Sequence, residues 1–293
     1  VSNPKACFFY GSVALTGNSF PVPGRHALAL FISVSVVAAM FSAVPVVSGA
    51  EQASKPAPAA AVAGELVVSL DARDPSAGSE TWTNQGTMGN FTRIGKPKLA
   101  TVGGQPAVQF NGTSDAYRSA SIVPPSIAGD HARSIEVWAY NPTLDSTEEC
   151  MVAWGHRGES LNNMAFSWGS GGGFSAVTHY DEDMSWGDES PAAGQWHHLV
   201  YTYDGKTAKI YDNGTERGSQ DFKLATAASN RMNIAVENSQ AGEPLFESEW
   251  DPNWPLALSG SIAMVRVHSG ALTADQVKAN FNANKARFGI GAR

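Results

Sequence analysis

An all-β fold, a sandwich of two antiparallel sheets closed by one short C-terminal helix, is the class this sequence predicts, on three observations. The chain of 293 residues carries 29 glycines and 8 tryptophans but only 16% charged residues, a balance that suits an exported β domain better than a helical cytosolic one. Short runs of aromatic and β-branched residues recur at roughly ten-residue spacing between Gly, Asn and Asp turn signals. The third observation is the stretch 196–214, WHHLVYTYDGKTAKIYDNG. Two such runs, 196–203 and 207–212, flank the turn pair Asp204-Gly205, and Asn213-Gly214 closes the second. A period of two puts Trp196, His198, Val200 and Thr202 on one face and His197, Leu199, Tyr201 and Tyr203 on the other. Both faces carry apolar bulk, so the hairpin is expected inside a layered structure and not as a one-sided ribbon. His197 and His198 point to opposite faces and cannot jointly chelate a metal; packed or hydrogen-bonded strand roles are expected for them.

Ahead of this region, Arg25 and His26 precede an uncharged apolar run, 27–41, followed by Pro45 and the small residues Ser48-Gly49-Ala50. That is the pattern of a secretory signal. It assigns residues 1–50 to an N-terminal extension and signal peptide, and the rest to a secreted or extracytoplasmic location, at a cell surface or in a periplasm. An uncleaved anchor is the alternative, because 27–47 nearly spans a bilayer. The serines, the proline and the small-residue exit favour cleavage, which leaves no stable membrane span. The long preamble, beginning on Val, points to a start placed upstream of the true one or to a fragment. Residues 51–64, EQASKPAPAAAVAG, read as an Ala/Pro linker with too little bulk to pack. The domain itself is expected over 65–290, without internal repeat or boundary.

Cys7 lies ahead of the signal, so the exported part keeps Cys150 alone and has no internal disulfide; core burial must hold it together. ECMVAWG reads as a strand in which Cys150 is a small buried hydrophobe, in no electropositive setting that would make it reactive. A net charge of −7 without a basic patch argues against nucleic acid or an anionic membrane as partner.

The remaining elements follow in order. ELVVSLDA is a strand ending at Asp71. Turn signals at 84–86 and 89–90 stand between Trp82 and Phe91. Residues 105–110 alternate into Asn111-Gly112, a hairpin signal that 115–122 continues. SIEVWAY, 134–140, splits into Ile135, Val137 and Ala139 against Glu136, Trp138 and Tyr140. Strands at 150–154, 164–168 and 174–179 are separated by GHRGES and by the glycine run 169–173. Weaker strands are expected at 217–224 and 232–236, a long Pro/Trp/acidic loop over 238–258, and a strong strand at 260–268. Thr273 and Gln276 form a capping box, with Leu272 and Val277 as its hydrophobic staple. Val277 and Phe281 then share the face that docks the helix on a sheet.

TWTNQGTMGNF, AVQFNG, SIEVWAY, WHHLVYTYDG with KIYDNG, and GSIAMVRVHSGALTADQV stand in the order of laminin-G-like jelly rolls. Over about residues 65–288 the chain resembles that branch of the concanavalin-A-like lectin/glucanase superfamily. The resemblance implies a two-sheet antiparallel jelly-roll sandwich; it is much less specific for activity, because one jelly roll hosts lectins, adhesion modules, pentraxins and glycosidases. It also implies a structural calcium at the sandwich edge, which needs about six to eight oxygen ligands. Relatives typically read Gly-x-Ile-Asp-Glu-Val-Arg in the last strand, whereas this chain has Ala263 where the acidic ligand would stand, leaving Asp71 and Asp115 as candidate oxygen donors. Retaining glycosidases of this fold carry a Glu-x-Asp-x-x-Glu strand, absent here. The nearest acidic cluster, 180–183, lacks the closing Glu, and no nucleophile elbow, phosphate loop or metal-spaced histidine pair appears.

Sugars are held by aromatic faces, with carboxylates, amides and Arg taking their hydroxyls. Trp154, His156 and Arg157 cluster at one strand end. Trp168 leads into the glycine run, and His179, Tyr180, Asp181 and Trp186 follow. If these strands are neighbours, the side chains converge, and the loop with Trp250 and Trp254 can wall them. Trp82, Trp138 and Trp196 are expected in the core. The expected function is a noncatalytic carbohydrate-binding or adhesion module whose partner is a glycan, an extracellular polysaccharide or a cell-surface protein. The alternatives are a glycoside hydrolase using a pair such as Glu136 and Asp181, and a protein–protein adhesion domain. Sequons at Asn90, Asn111 and Asn213 matter only in a host that glycosylates.

Overall fold

The central hairpin forms where aromatic and β-branched residues meet across Asp204-Gly205. Trp196–Tyr203 pairs antiparallel with Thr207–Asp212, Tyr201 opposite Ile210, and the Asp204 carboxylate closes the turn by accepting from the backbone N–H groups of Lys206 and Thr207. The structure is a computed structural model and describes residues 60–291 except Pro252. The N-terminal extension, the signal pattern and most of the linker lie outside the described residues. No helix among the described residues is long and apolar enough to cross a membrane.

Around the hairpin the first sheet runs, edge to edge, Thr215–Asp221, Thr207–Asp212, Trp196–Tyr203, Arg133–Tyr140, Ser261–His268, Gln105–Gln109 and Lys98–Val102, with Leu66–Asp71 also on Ser261–His268. The second runs Asp183–Met184, Val177–Thr178, Asn163–Ser167, Cys150–Gly155, Arg231–Ile234, Ala116–Ile122, Phe91–Ile94 and Thr81–Trp82. All strand pairings are antiparallel, and the two sheets make a jelly-roll sandwich. Leu199, Tyr201, Ile135, Val137, Val265 and Val267 of the first sheet share one buried cluster with Met151, Trp154, Met164, Phe166, Tyr117 and Ile234 of the second.

The outer face of the first sheet is covered too. The helix Ala274–Asn284 begins with the expected capping box, Thr273 and Gln276 each bonding the other's backbone N–H. Leu272 and Val277 pack with Val200 and Tyr211, while Phe281 and Phe288 stack on Trp138 at 6.0 and 4.0 Å. Under this cover Glu136 accepts from His198 Nε2 at 3.1 Å, His268 Nε2 at 2.9 Å and Asn280 Nδ2 at 3.0 Å. Asn280 also exchanges hydrogen bonds with both backbone groups of Ala61, and Ala63 is buried against the helix. The last residues of the expected linker therefore dock, since alanines small enough to fit beneath the helix need no bulk to pack.

One turn signal does something other than expected. Asn111-Gly112 does not close a hairpin: Gln105–Gln109 and Ala116–Ile122 lie in different sheets. The Asn111 side chain accepts from the backbone N–H groups of Thr113, Ser114 and Asp115, making an Asx-type turn. It redirects the chain across the sandwich. Cys150 is fully buried, and burial pushes its thiol far above its ordinary range.

Candidate functional site

The strands Cys150–Gly155, Asn163–Ser167, Val177–Thr178 and Asp183–Met184 are consecutive neighbours at one edge of the second sheet, so the side chains expected to converge do lie side by side. Strand alternation then divides them. Trp154, Trp168 and Trp186 have essentially no exposed surface and belong to the inter-sheet core, which corrects their expected place on a ligand surface. Trp168 donates its indole N–H to the Pro191 carbonyl at 2.9 Å. His179 is equally buried, against Tyr201 OH at 3.2 Å; burial and the Arg133 charge push it down to about 3, so it is a neutral core residue. His156 is half-buried beside Ser229 and does not line the pocket.

Arg157, Tyr180, Asp181, Trp250 and Trp254 do meet, around a pocket of about 220 Å³ that Glu148, Phe174, Thr178 and Asp183 complete. The turn between Val177–Thr178 and Asp183–Met184 carries Tyr180 and Asp181 at φ 69° and 67°, two successive left-handed positions without glycine. Such backbone costs free energy and persists only where the surroundings hold it. Asp183 holds it here, its Oδ1 accepting from the N–H groups of His179 at 2.9 Å and Tyr180 at 3.2 Å. The turn sets the Tyr180 ring 6.1 Å from that of Trp250, and Phe174 lies 5.3 Å from Trp254. Trp250, 65% exposed, is the one tryptophan among the described residues with a large open face. Its loop is turned back on itself by Ser248 N–H to the Trp254 carbonyl and Trp254 N–H to the Asp251 carbonyl.

The floor is an ion network. Arg157, with its guanidinium 5.4 Å from the Trp250 ring centre, donates to Glu148 Oε1 at 3.2 Å and to Glu237 Oε2. Thr178 Oγ1 donates to Glu148 at 3.0 Å, and Asn163 Nδ2 to Glu237 at 2.8 Å. Burial and the Glu148 charge push Glu237 well above the carboxylate range despite Arg157. Burial also raises Asp183 to about 6 and the fully buried Glu149, which does not line this pocket, to about 7.

An aromatic rim over carboxylate acceptors suits sugar rings and hydroxyls. Two carboxylates flanking a glycosidic oxygen are not what the floor offers: Glu148 and Glu237 are tied to one Arg157 nitrogen, and Glu237 has no exposed surface and is not on the wall. Nor do Glu136 and Asp181 form a pair. Glu136 is on the outer face of the first sheet with both oxygens engaged, whereas Asp181 is in a turn of the second. Sequence reasoning missed Glu148, Phe174, Asp183 and Glu237; the acid-rich stretches at 145–149 and 180–183 are the available signal.

The expected calcium fits poorly at Asp71. Its oxygens are engaged by Arg73 at 2.7 Å and Arg287 at 2.9 Å; burial would raise this carboxyl, but those bonds hold it below its usual range. Asp115 accepts the Lys96 backbone N–H at 2.7 Å and lines a hollow shared with the Lys96 and Lys98 side chains. No group of three or more His, Cys, Asp or Glu side chains placed to hold a metal occurs among the described residues.

With this architecture, comparison places the chain by class. A family model for the concanavalin A-like lectin/glucanases superfamily matches residues 111–278, more than half the chain, and the chain belongs to that superfamily. Within it the matching model is a laminin G one. Among solved structures the chain is similar to domain 4 of AbnA, an extracellular arabinanase from Geobacillus stearothermophilus solved with arabinotriose, at 20% identity over 74% of this chain and 98% of that one, TM-score 0.48. It is also similar to the binding domain of Paraclostridial Mosquitocidal Protein 1, at 14% identity over 75% of this chain and 52% of that one, TM-score 0.48. A third is Trypanosoma rangeli sialidase with sialic acid, at 11% identity over 76% of this chain and 33% of that one, TM-score 0.49. The chain thus spans about half of the second structure and a third of the sialidase. At these identities the likeness concerns the fold alone. Comparison with curated proteins returns no match.

The raised carboxyls set a pH dependence. A carboxyl whose folded pKa lies above its unfolded value near 4 keeps its proton longer in the fold, so its contribution favours the fold below the folded value and declines as pH rises through the window. For Asp183 and Glu149 that window runs from the unfolded values up to about 6 and about 7. The melting temperature is expected to be higher near pH 5 than near pH 8, and Glu149→Gln to narrow the difference. Thermal melts across that range check it; a melting temperature that climbs toward pH 8 contradicts it.

Proposed function

We propose that this domain is a noncatalytic carbohydrate-binding module, acting outside the cytoplasm as the secretory pattern predicts, and that the pocket between Tyr180 and Trp250 is its sugar site. One observation carries the reading: the strained Tyr180-Asp181 turn presents an aromatic ring and a carboxylate together, facing an open tryptophan across a carboxylate-lined floor. Trp250 supplies the platform, and Asp181, Asp183 and Glu148 accept hydroxyl hydrogens. The cavity is smaller than the roughly 300–1,000 Å³ usual for drug-sized ligands, which suits one sugar ring. The partner is then a glycan chain or extracellular polysaccharide.

A glycan array run with calcium and with chelator identifies the ligand, and calorimetry on the strongest hit measures it. Trp250→Ala is expected to weaken binding about tenfold, about 1.4 kcal/mol, as loss of a stacking face should. An array without binding, or a hit indifferent to Trp250→Ala and Tyr180→Ala, removes the proposal. A second reading, glycoside cleavage, draws on Asp183 at about 6 beside Glu148, a proton-holding carboxyl and a partner in one pocket. Reducing ends released during the same incubation, and abolished by Asp183→Asn, would favour it.

A further inference from the structure

Three segments build the mouth of the pocket: 145–149, 180–183 and 247–254. Each holds three acidic residues, of which Glu148, Asp181 and Asp183 line the pocket while Glu149 is fully buried, and none contains a lysine or an arginine. The only cation on the wall, Arg157, is spent on Glu148 and Glu237 beneath it. A ligand entering here meets four aromatic rings, Phe174, Tyr180, Trp250 and Trp254, with Asp181 and Asp183 on the same wall and Glu148, 1% exposed, beneath. Aromatic faces attract cations through their quadrupoles, the more so where water is excluded. An acidic field with no free basic group repels carboxylate and sulfate ligands.

A second hollow, of about 250 Å³, also has Trp254 in its wall, with Asp145, Ser146, Thr147, Asp251 and Asn253. Trp254 is the wall common to both hollows, and its indole N–H is sealed from solvent without a partner. The second hollow is polar, with hydroxyl and amide groups suited to sugar hydroxyls and further carboxylates suited to an ammonium group.

We propose that the two hollows sharing Trp254 are adjacent subsites for consecutive units of an amino-sugar chain, selecting units with a free, protonated amino group. This deepens the sugar-site reading and rests on it. It names a class the pocket prefers, unacetylated amino sugars, and two classes it disfavours, their N-acetylated counterparts and uronic or sialic acids. The positive ammonium group gains charge pairing with the carboxylates and cation–π attraction to the rings; an acetamide keeps only a neutral hydrogen bond and methyl packing, and an acid pays repulsion.

The test uses calorimetry on the full chain with β-1,4-linked glucosamine monomer, dimer and trimer, N-acetylglucosamine trimer and galacturonic acid trimer, at low and raised salt. The glucosamine trimer is expected to bind at least about tenfold tighter than the N-acetylated trimer, and the dimer at least about tenfold tighter than the monomer. The galacturonic acid trimer should show no binding, and salt should weaken the glucosamine ligands as exposed charge pairing requires. Asp181→Asn, at a left-handed position that Asn tolerates, should reduce the preference for free amine to within about threefold while the protein stays folded. If N-acetylated or acidic trimers bind as tightly, and Trp250→Ala weakens them, the charge selection is wrong and the sugar site stands. If dimer and monomer bind alike, or Trp254→Ala leaves their ratio unchanged, the second subsite is wrong. If none of these sugars, nor any on the array, binds, both readings fall together.

Discussion

Arg157→Ala is expected to destabilise the domain by about 3 kcal/mol, at the low end of the roughly 3–5 kcal/mol typical when one partner of a buried ion pair is removed. The Arg157 side chain is 6% exposed, that of Glu148 1% and that of Glu237 not at all. Without the guanidinium, Glu148 keeps Thr178 and Glu237 keeps Asn163, and one carboxylate is left buried beside another. Part of the penalty is absorbed because Glu237 already lies well above the usual carboxylate range and can hold a proton, hence the low end. Ligand binding should fall as well, since Trp250 loses the cation it rests on. Urea denaturation measures the first effect through a shifted midpoint at constant slope. Replacing Arg157 and Glu237 together by Met and Leu should recover much of the loss, because a buried pair exchanged for apolar side chains is often nearly neutral. A loss under about 1 kcal/mol for Arg157→Ala would mean that water already reaches these carboxylates.

Glu136→Ala should have an effect of similar size, about 3–5 kcal/mol, by a different route. The carboxylate accepts from His198, His268 and Asn280 in a site 2% exposed. Removing it leaves three donors facing a void, and Asn280 ties Ala61 to the helix. Hydrogen exchange over 274–284 should therefore speed more than in the central strands; uniform acceleration would show that the cluster is not a local latch. Burial alone would raise this carboxyl, but the hydrogen bonds and charges of the two histidines hold it well below the ordinary range. For a depressed folded pKa the sign is the reverse of Asp183: the stabilisation is complete above the unfolded value near 4.3 and is lost as pH falls below it. Wild type should thus lose stability in that acid range more steeply than Glu136→Ala, and acid titration of the unfolding midpoint reads the difference.

Much of the fold was legible in the chain. The hairpin at 196–212, the two faces of 134–140 and the capping box at Thr273 are local patterns, each written by a period or a turn within a few residues. The candidate site was only half legible. Residue type and neighbourhood point to Arg157, Tyr180, Asp181, Trp250 and Trp254, and the structure gathers them. The same rule points to Trp154, Trp168, Trp186 and His179, which are core, because a tryptophan before a loop looks the same whether its strand points it inward or out.

The sequence by itself determined the strand periods, the turns, the helix start and the acidic character of three separated stretches, all properties of neighbouring residues. Only the tertiary structure decided that Asn111-Gly112 sends the chain from one sheet to the other. It alone brought Glu148 and Glu237 to one arginine and made Trp254 a wall of two hollows. The reason is physical: those outcomes depend on contacts between residues tens of positions apart, settled by how two sheets pack, and no local pattern of side chains records them.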